Sequence, residues 1–368
     1  MKTGIEITPL TARLTGIGYY TRHLVQALCA LPERPELRGF ASGIRPPQLG
    51  TLSLPHRWLP LPTRALYQIW NKTGFPRVDS LLGGVQVYHA VNYVLPPLKK
   101  AAAILTIHDL AFLLHPEWSS PKIVGPFRKA ITRHARQAQL IIVPSLATQR
   151  DAVELLDIDP EKVRLIPHAG DPDFSPQPSD QAEAVLQKEL NLPGPFFLCV
   201  GTLEPRKNLR TLLRAFLKTE LPHKLVFVGG RGWGDQLLAE HPVTEKERNR
   251  LVFTGYLEDR VLFPALYSLA TAFVFPSWYE GFGIPLVEAM ACGCPVISSD
   301  TSSLPEVAGD AARYAAPDDE EGWTKALEEV ASDPLLRQRL REEGLKQAQL
   351  FSWEKTATAT FQCYQEFF

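Results

Sequence analysis

Short apolar runs alternate with amphipathic stretches along most of the chain. Ala102–Ile107, Leu140–Val143, Phe196–Val200, Lys224–Val228, Leu251–Thr254, Ala272–Phe275 and Pro295–Ser298 are four to six residues long. They read as parallel strands buried on both faces. Between them Tyr19–Leu31, Phe127–Gln139, Leu209–Thr219, Val261–Leu269, Ile284–Ala291 and Glu320–Ala331 repeat apolar positions at helical spacing. Strand, helix, strand in this rhythm predicts βαβ units and an α/β fold of doubly wound sheets.

At 368 residues the chain exceeds what one hydrophobic core usually serves, so two domains are expected. The proline-bearing stretch Pro167–Pro178 follows an apolar strand, Val163–Ile166, and reads as a linker. The expected division is a first domain over 1–172, a linker over 173–182 and a second domain over 183–350. A final helical segment, 351–368, carries aromatic residues that need burial and is expected to return to the first domain. Arg45–Pro62, rich in proline, reads as an irregular excursion. No apolar run reaches the 18 or so residues of a membrane span, and the first residues do not resemble a signal peptide. Five cysteines without a CxxC pair argue against disulfides and zinc and for a reducing, cytoplasmic setting.

The net charge of −1 hides an asymmetry. Residues 1–150 hold 18 Lys/Arg against 6 Asp/Glu, and the remainder holds 21 against 34. Nucleic acid, an anionic membrane or lipid-phosphate acceptor, and a merely solvated basic surface all fit the basic half. The scatter of the cations counts against nucleic acid. Arg57, Trp58, Arg64, Tyr67, Trp70 and Lys72 interleave cations with aromatics, as an interfacial segment does, so the inner face of the cytoplasmic membrane is an expected location.

Ligand chemistry concentrates where strands give way to helices. Pro276-Ser-Trp-Tyr-Glu-Gly-Phe-Gly-Ile-Pro-Leu-Val-Glu places Glu280 in a loop and Glu288 about one turn into the next helix. A loop carboxylate can accept hydrogen bonds from a sugar, and one in the first turns can hold ribose hydroxyls. Gly281 and Gly283 leave backbone N–H groups open at the helix start, where the dipole favours phosphate or sugar oxygens. Val200-Gly-Thr-Leu-Glu-Pro-Arg-Lys-Asn sets Arg206 and Lys207 at a helix start, the end that disfavours cations, which a diphosphate over them explains. Thr15-Gly-Ile-Gly-Tyr-Tyr-Thr is glycine-rich but lacks the third glycine of a dinucleotide fingerprint, so a dehydrogenase is disfavoured; a phosphate or sugar can approach Gly16 and Gly18. His108 follows a strand at its carboxyl end. Asp171-Pro-Asp173 has a metal-binding form but lies in the linker, where turn chemistry is expected instead. Cys292-Gly-Cys294 is spaced too closely for zinc.

With these motifs the chain resembles the retaining glycosyltransferases of family four, of GT-B architecture. The resemblance is greatest to mannosyltransferases that build bacterial O-antigen and other surface polysaccharides. It runs from Gly16-Ile-Gly18 through Thr106-Ile-His-Asp, Val143-Pro-Ser145, Ile166-Pro-His-Ala-Gly-Asp, Gly201-Thr-Leu-Glu-Pro-Arg-Lys-Asn and Phe253-Thr-Gly-Tyr to Ser303-Leu-Pro-Glu-Val. It implies two Rossmann-like domains facing across a cleft, and transfer of a hexose, with mannose from GDP-mannose preferred, to a glycan or lipid-linked glycan. No cofactor or bound metal is implied. By resemblance Arg206 and Lys207 bind the diphosphate, Glu280, Phe282 and Gly283 the donor sugar, Glu288 the ribose, and Tyr256 and Leu257 the base. Gly16 and Gly18 approach the phosphates, and His108 lines the sugar pocket. His168 stands where many relatives carry Asn. A hydrolase, phosphorylase or epimerase of the same fold, and a noncatalytic sugar-binding protein, are the competing expectations.

Overall fold

The computed structural model describes residues 1–119, 121–232 and 243–368, apart from the side chains at 121–123, 126 and 129. The chain forms two compact units. One comprises residues 1–114, 121–168 and 352–368; the other comprises 169–351 with a short segment beginning at His115.

The first unit holds seven strands: β1 (Lys2–Glu6), β2 (Glu36–Ser42), β3 (His56–Leu59), β4 (Val87–Ala90), β5 (Ala102–Thr106), β6 (Leu140–Val143) and β7 (Val163–Leu165). They pair in the order β3-β2-β1-β4-β5-β6-β7, every neighbour parallel. β1, β2 and β4 escaped the sequence reading because Lys2, Thr3, Glu6, Glu36, Arg38 and His89 break their apolar runs. Arg45–Pro62 is not wholly irregular: β3 lies within it, at the sheet edge, where a strand does not need a continuous apolar run. The cation–aromatic set also turns inward in part. Trp58 donates its indole N–H to Gly43 O at 2.9 Å, Tyr67 and Trp70 line a crevice, and Arg57, Arg64 and Lys72 stay exposed.

The second unit holds β8 (Phe196–Val200), β9 (Lys224–Val228), β10 (Leu251–Gly255), β11 (Ala272–Phe275), β12 (Val296–Ser299) and β13 (Ala312–Ala315). Their order is β10-β9-β8-β11-β12-β13, again all parallel. Side chains alternate along each strand, so Phe196 and Leu198 of β8 join one core layer while Phe197 and Cys199 join the other. Both faces are therefore covered, as a parallel sheet requires. The stretch read as linker up to residue 182 already contains the start of the helix Ser179–Leu190, whose Ala182 and Leu186 are buried against this core.

The last helix, Trp353–Gln365, belongs to the first unit and packs on the helix Gly16–Ala30. Its Tyr364 hydroxyl lies 2.7 Å from His89 Nδ1, and His89 Nε2 lies 2.7 Å from Thr106 Oγ1, all buried. Four histidines sit inside this unit. Burial lowers His89 to about 3 and His108 and His134 to about 4, and pushes His168 well below the usual imidazole range. The unfolded chain takes up protons near pH 6.5, where the native chain does not, so their stabilisation is complete above 6.5 and is lost as pH falls toward 4. Glu6, raised by burial to about 8, and Glu288, also raised by burial, act in the opposite sense, but they are two groups against four. Unfolding free energy from urea titration is expected to drop between pH 7 and pH 5; a flat profile would contradict four imidazoles held neutral in the native chain.

Candidate active site

In the second sheet β8 and β11 are neighbours, yet the chain leaves them toward opposite edges, β8 to β9 and β11 to β12. Their carboxyl ends bound the crevice at the topological switch point, where open parallel sheets bind ligands. The segment after β8 carries Arg206 and Lys207 in the turn Pro205–Lys207, and the segment after β11 carries Glu280. These three side chains meet. Lys207 Nζ lies 2.7 Å from Glu280 Oε1 and Arg206 Nη1 lies 2.7 Å from Oε2. Arg206 is braced further by Glu204 at 3.0 Å and donates to Tyr279 O at 2.6 Å, while Lys207 sits 4.8 Å over the Phe275 ring. Burial opposes ionisation of Glu280, but the two cations and their hydrogen bonds outweigh it and bring its pKa down to about 2.

The backbone makes room for this cluster. Gly201 has φ +150°, and a Cβ there would approach Lys207 Cε to 3.2 Å; a Cβ at Gly229 would collide with Gly201 O. The loop 276–283 is anchored by small hydroxyl residues at and just after the end of β12, which sequence reasoning did not assign. Ser302 Oγ accepts from Glu280 N–H at 2.9 Å, and Ser303 Oγ donates to Glu280 O at 2.8 Å. Thr301 and Ser299 donate to Trp278 O at 3.0 Å and Ser277 O at 2.6 Å. Asn208 ties both segments by donating to Pro276 O and Pro317 O at 3.1 and 2.6 Å. The run Ser298-Ser-Asp-Thr-Ser-Ser is the signal that could have shown this. Gly283 is the left-handed N-cap of the helix Ile284–Ala291, with φ +98° and no side-chain cap, and a Cβ there would press on Leu304 at 3.0 Å. Phe282 is buried with its ring edge-on to Phe351.

Glu288 joins a different ionic group. Its Oε1 lies 2.6 Å from Arg260 Nη2, and Arg260 Nε lies 3.0 Å from Asp171 Oδ2. Burial raises Glu288 despite Arg260. Asp171 Oδ1 also accepts from Asp173 N–H at 3.1 Å, a turn of the kind Asx residues favour. Arg260 was not anticipated; nothing in Leu-Glu-Asp-Arg distinguishes it before folding. Tyr256 and Leu257 follow β10, two strands along from β8, with Tyr256 Cβ beside Gly230 and Leu257 against the core.

Gly16, Gly18 and His108 belong to the first unit. The two glycines form the first turn of the helix Gly16–Ala30, which has no side-chain cap; Gly16 has open space, while a Cβ on Gly18 would meet Leu14 at 2.9 Å. His108 Nε2 lies 2.8 Å from Val91 O, so Nε2 carries the proton, and Nδ1 accepts from His168 Nε2–H at 3.1 Å. His168, noted in the sequence only as a departure from relatives, thus fixes the His108 ring.

Residues 14–174 match the model described as Glycosyltransferase Family 4, and 180–347 match Glycosyl transferases group 1. The O-antigen chain mannosyltransferase B of Escherichia coli is 32% identical over 99% of this chain and 100% of its own. The chain belongs to glycosyltransferase family 4. This glycosyltransferase has the GT-B fold. The sucrose-phosphate synthase of Thermosynechococcus elongatus superposes with a TM-score of 0.80 at 23% identity, covering 99% of this chain and 98% of that one. Anabaena HepE in complex with UDP-glucose gives 0.76 at 19%, covering 100% of each. Among the described residues no helix of the glycosyltransferase is long and apolar enough to cross a membrane, and no group of three or more His, Cys, Asp or Glu could hold a metal ion.

Removing Arg260 leaves two carboxylates without their shared cation. Arg260→Met is expected to lower stability by about 3 kcal/mol, measured as a shift in urea midpoint. A loss under roughly 0.5 kcal/mol would show that the group contributes no more than an exposed pair.

Proposed function

We propose that this glycosyltransferase moves mannose from GDP-mannose onto a glycan or lipid-linked glycan during assembly of a surface polysaccharide, with retention at the anomeric carbon and without a bound metal. The observation that carries the reading is the convergence of Arg206, Lys207 and Glu280 at the switch point of the second sheet. Mannose is favoured by the likeness to a mannosyltransferase along the full chain.

In this reading the diphosphate lies against Arg206 and Lys207, which offset the charge that develops as it departs. Glu280 is ionised and fixed, so it accepts from hydroxyls of the donor sugar. Glu288 and Arg260 together contact the ribose. Substitution proceeds on the face the leaving group occupies, through an oxocarbenium-like transition state. The bond from the anomeric carbon to the phosphate oxygen breaks as the acceptor oxygen bonds there, and the acceptor's proton passes to the departing phosphate. The acidic pair of a retaining glycosidase stands about 5–5.5 Å apart and forms a covalent intermediate. Here Glu280 is engaged by two cations and Glu288 by Arg260, so neither serves as a nucleophile.

The assay is transfer from GDP-mannose with and without acceptor, which separates transfer from hydrolysis. Lys207→Ala is expected to lose about 10²–10³ in turnover, equivalent to about 3–4 kcal/mol of barrier, with the fold retained. Turnover near wild type would remove the diphosphate assignment. Peripheral association with the inner face of the cytoplasmic membrane rests on the basic first half and on exposed Arg57, Arg64 and Lys72. Flotation with anionic vesicles should be salt-sensitive; no flotation at low salt argues for a protein free of the membrane.

A further inference from the structure

Three separate stretches of the second unit converge on Glu288. The helix Ile284–Ala291 carries the carboxylate, the segment after β10 brings Arg260, and the chain that enters the unit at Ala169 brings Asp171. That entering segment lies close against the helix: a Cβ on Gly170 would stand 3.3 Å from Glu288 Cγ and 3.4 Å from its backbone N. Asp171 then meets Glu288 by two routes. Its own N–H donates to the Glu288 carboxylate. Its side chain takes Arg260 Nε at 3.0 Å, and Arg260 Nη2 reaches Glu288 Oε1 at 2.6 Å. Asp171, Arg260 and Glu288 thus close a ring.

Each member of the ring is held in place. Nε and Nη2 lie on one edge of the planar guanidinium, so Arg260 cannot turn toward either carboxylate without leaving the other. Its Cζ lies 4.8 Å from the ring centroid of Phe174 and 5.2 Å from that of Phe263. Asp171 is oriented by its own turn, with Oδ1 accepting from Asp173 N–H and its carbonyl from Phe174 N–H, both at 3.1 Å. The side chains of Asp171 and Glu288 are only 10% and 6% exposed, so water does little to screen the group.

Two carboxylates share one cation, which leaves the group with a surplus of acceptors. An ionised carboxylate has about four acceptor sites, more than Arg260 and the Asp171 N–H fill on Glu288. What remains takes hydrogen-bond donors and repels anions, so adjacent hydroxyls fit there and a phosphate does not.

We propose that Asp171 is a positioning residue for the ribose: acting through Arg260 and through its own N–H, it fixes the Glu288 carboxylate so that the donor site selects a ribonucleotide over one lacking both ribose hydroxyls. The assignment rests on the reading above in which Glu288 contacts the ribose. It makes the segment that enters the unit a part of the nucleotide site.

The test is calorimetric titration of the full chain with GDP and with UDP, each against its 2′,3′-dideoxy counterpart. Hydrogen bonds from hydroxyls to a carboxylate should let wild type bind a ribonucleotide at least about tenfold more tightly than its dideoxy form. Glu288→Gln should shrink that ratio to about threefold or less. Asp171→Ala, which keeps the N–H and removes the side chain, should shrink it comparably and leave dideoxynucleotide affinity unchanged, the control on the fold. Asp171→Asn, whose amide oxygen still accepts from Arg260, should restore most of the ratio. A merely structural role makes Asp171→Ala weaken both nucleotide forms alike, or leaves Asp171→Asn no better than Asp171→Ala; either result overturns the proposal. If Asp171→Ala keeps the full ratio while Glu288→Gln loses it, the ribose reading stands and the role of Asp171 falls. If wild type does not distinguish the two forms, the ribose reading itself falls and takes this proposal with it.

Discussion

A carboxylate sealed from water stays ionised where cations or hydrogen-bond donors offset its desolvation, and Glu280 has two cations beside it. That constraint organises the edge of the second sheet. Arg206 and Lys207 must arrive from β8 and Glu280 from β11, so the parallel order of the sheet is a condition for the cluster. Glu204 balances the second cation, and the four charges sum to zero without a ligand. The cations are therefore aimed before any substrate arrives, which is the condition for electrostatic preorganisation.

Much of this was legible in the chain. β6, β8, β9, β11 and the helix Ile284–Ala291 have the bounds their apolar runs predicted, because each is buried on both faces or lies largely in the core. Arg206 and Lys207 could be picked out because cations at a helix start defy the local electrostatic preference. The missing strands of the first unit are those whose polar residues find partners only after folding. His89 is one: isolated in sequence, it is satisfied by Thr106, seventeen residues on, and by Tyr364 near the other end of the chain.

The partition of the two glutamates was not legible. A spacing of eight places Glu280 and Glu288 near one helix start, but it does not say that one faces Arg206 and Lys207 while the other faces Arg260 and Asp171. That division depends on which loop delivers each cation, a property of tertiary structure. The hydroxyl residues from Ser299 to Ser303 illustrate the same limit. Their side chains serve the backbone of another loop, and such bonds leave no periodic trace.

The Tyr364–His89 bond has a consequence for how the protein is made. The polypeptide builds most of one unit, then nearly all of the other, and only afterwards supplies the helix that completes the first. On a ribosome the nascent first unit therefore waits, with the imidazole of His89 lacking its phenolic partner, while the strands of the second are translated and free to fold. The half that begins synthesis first is the last to be finished.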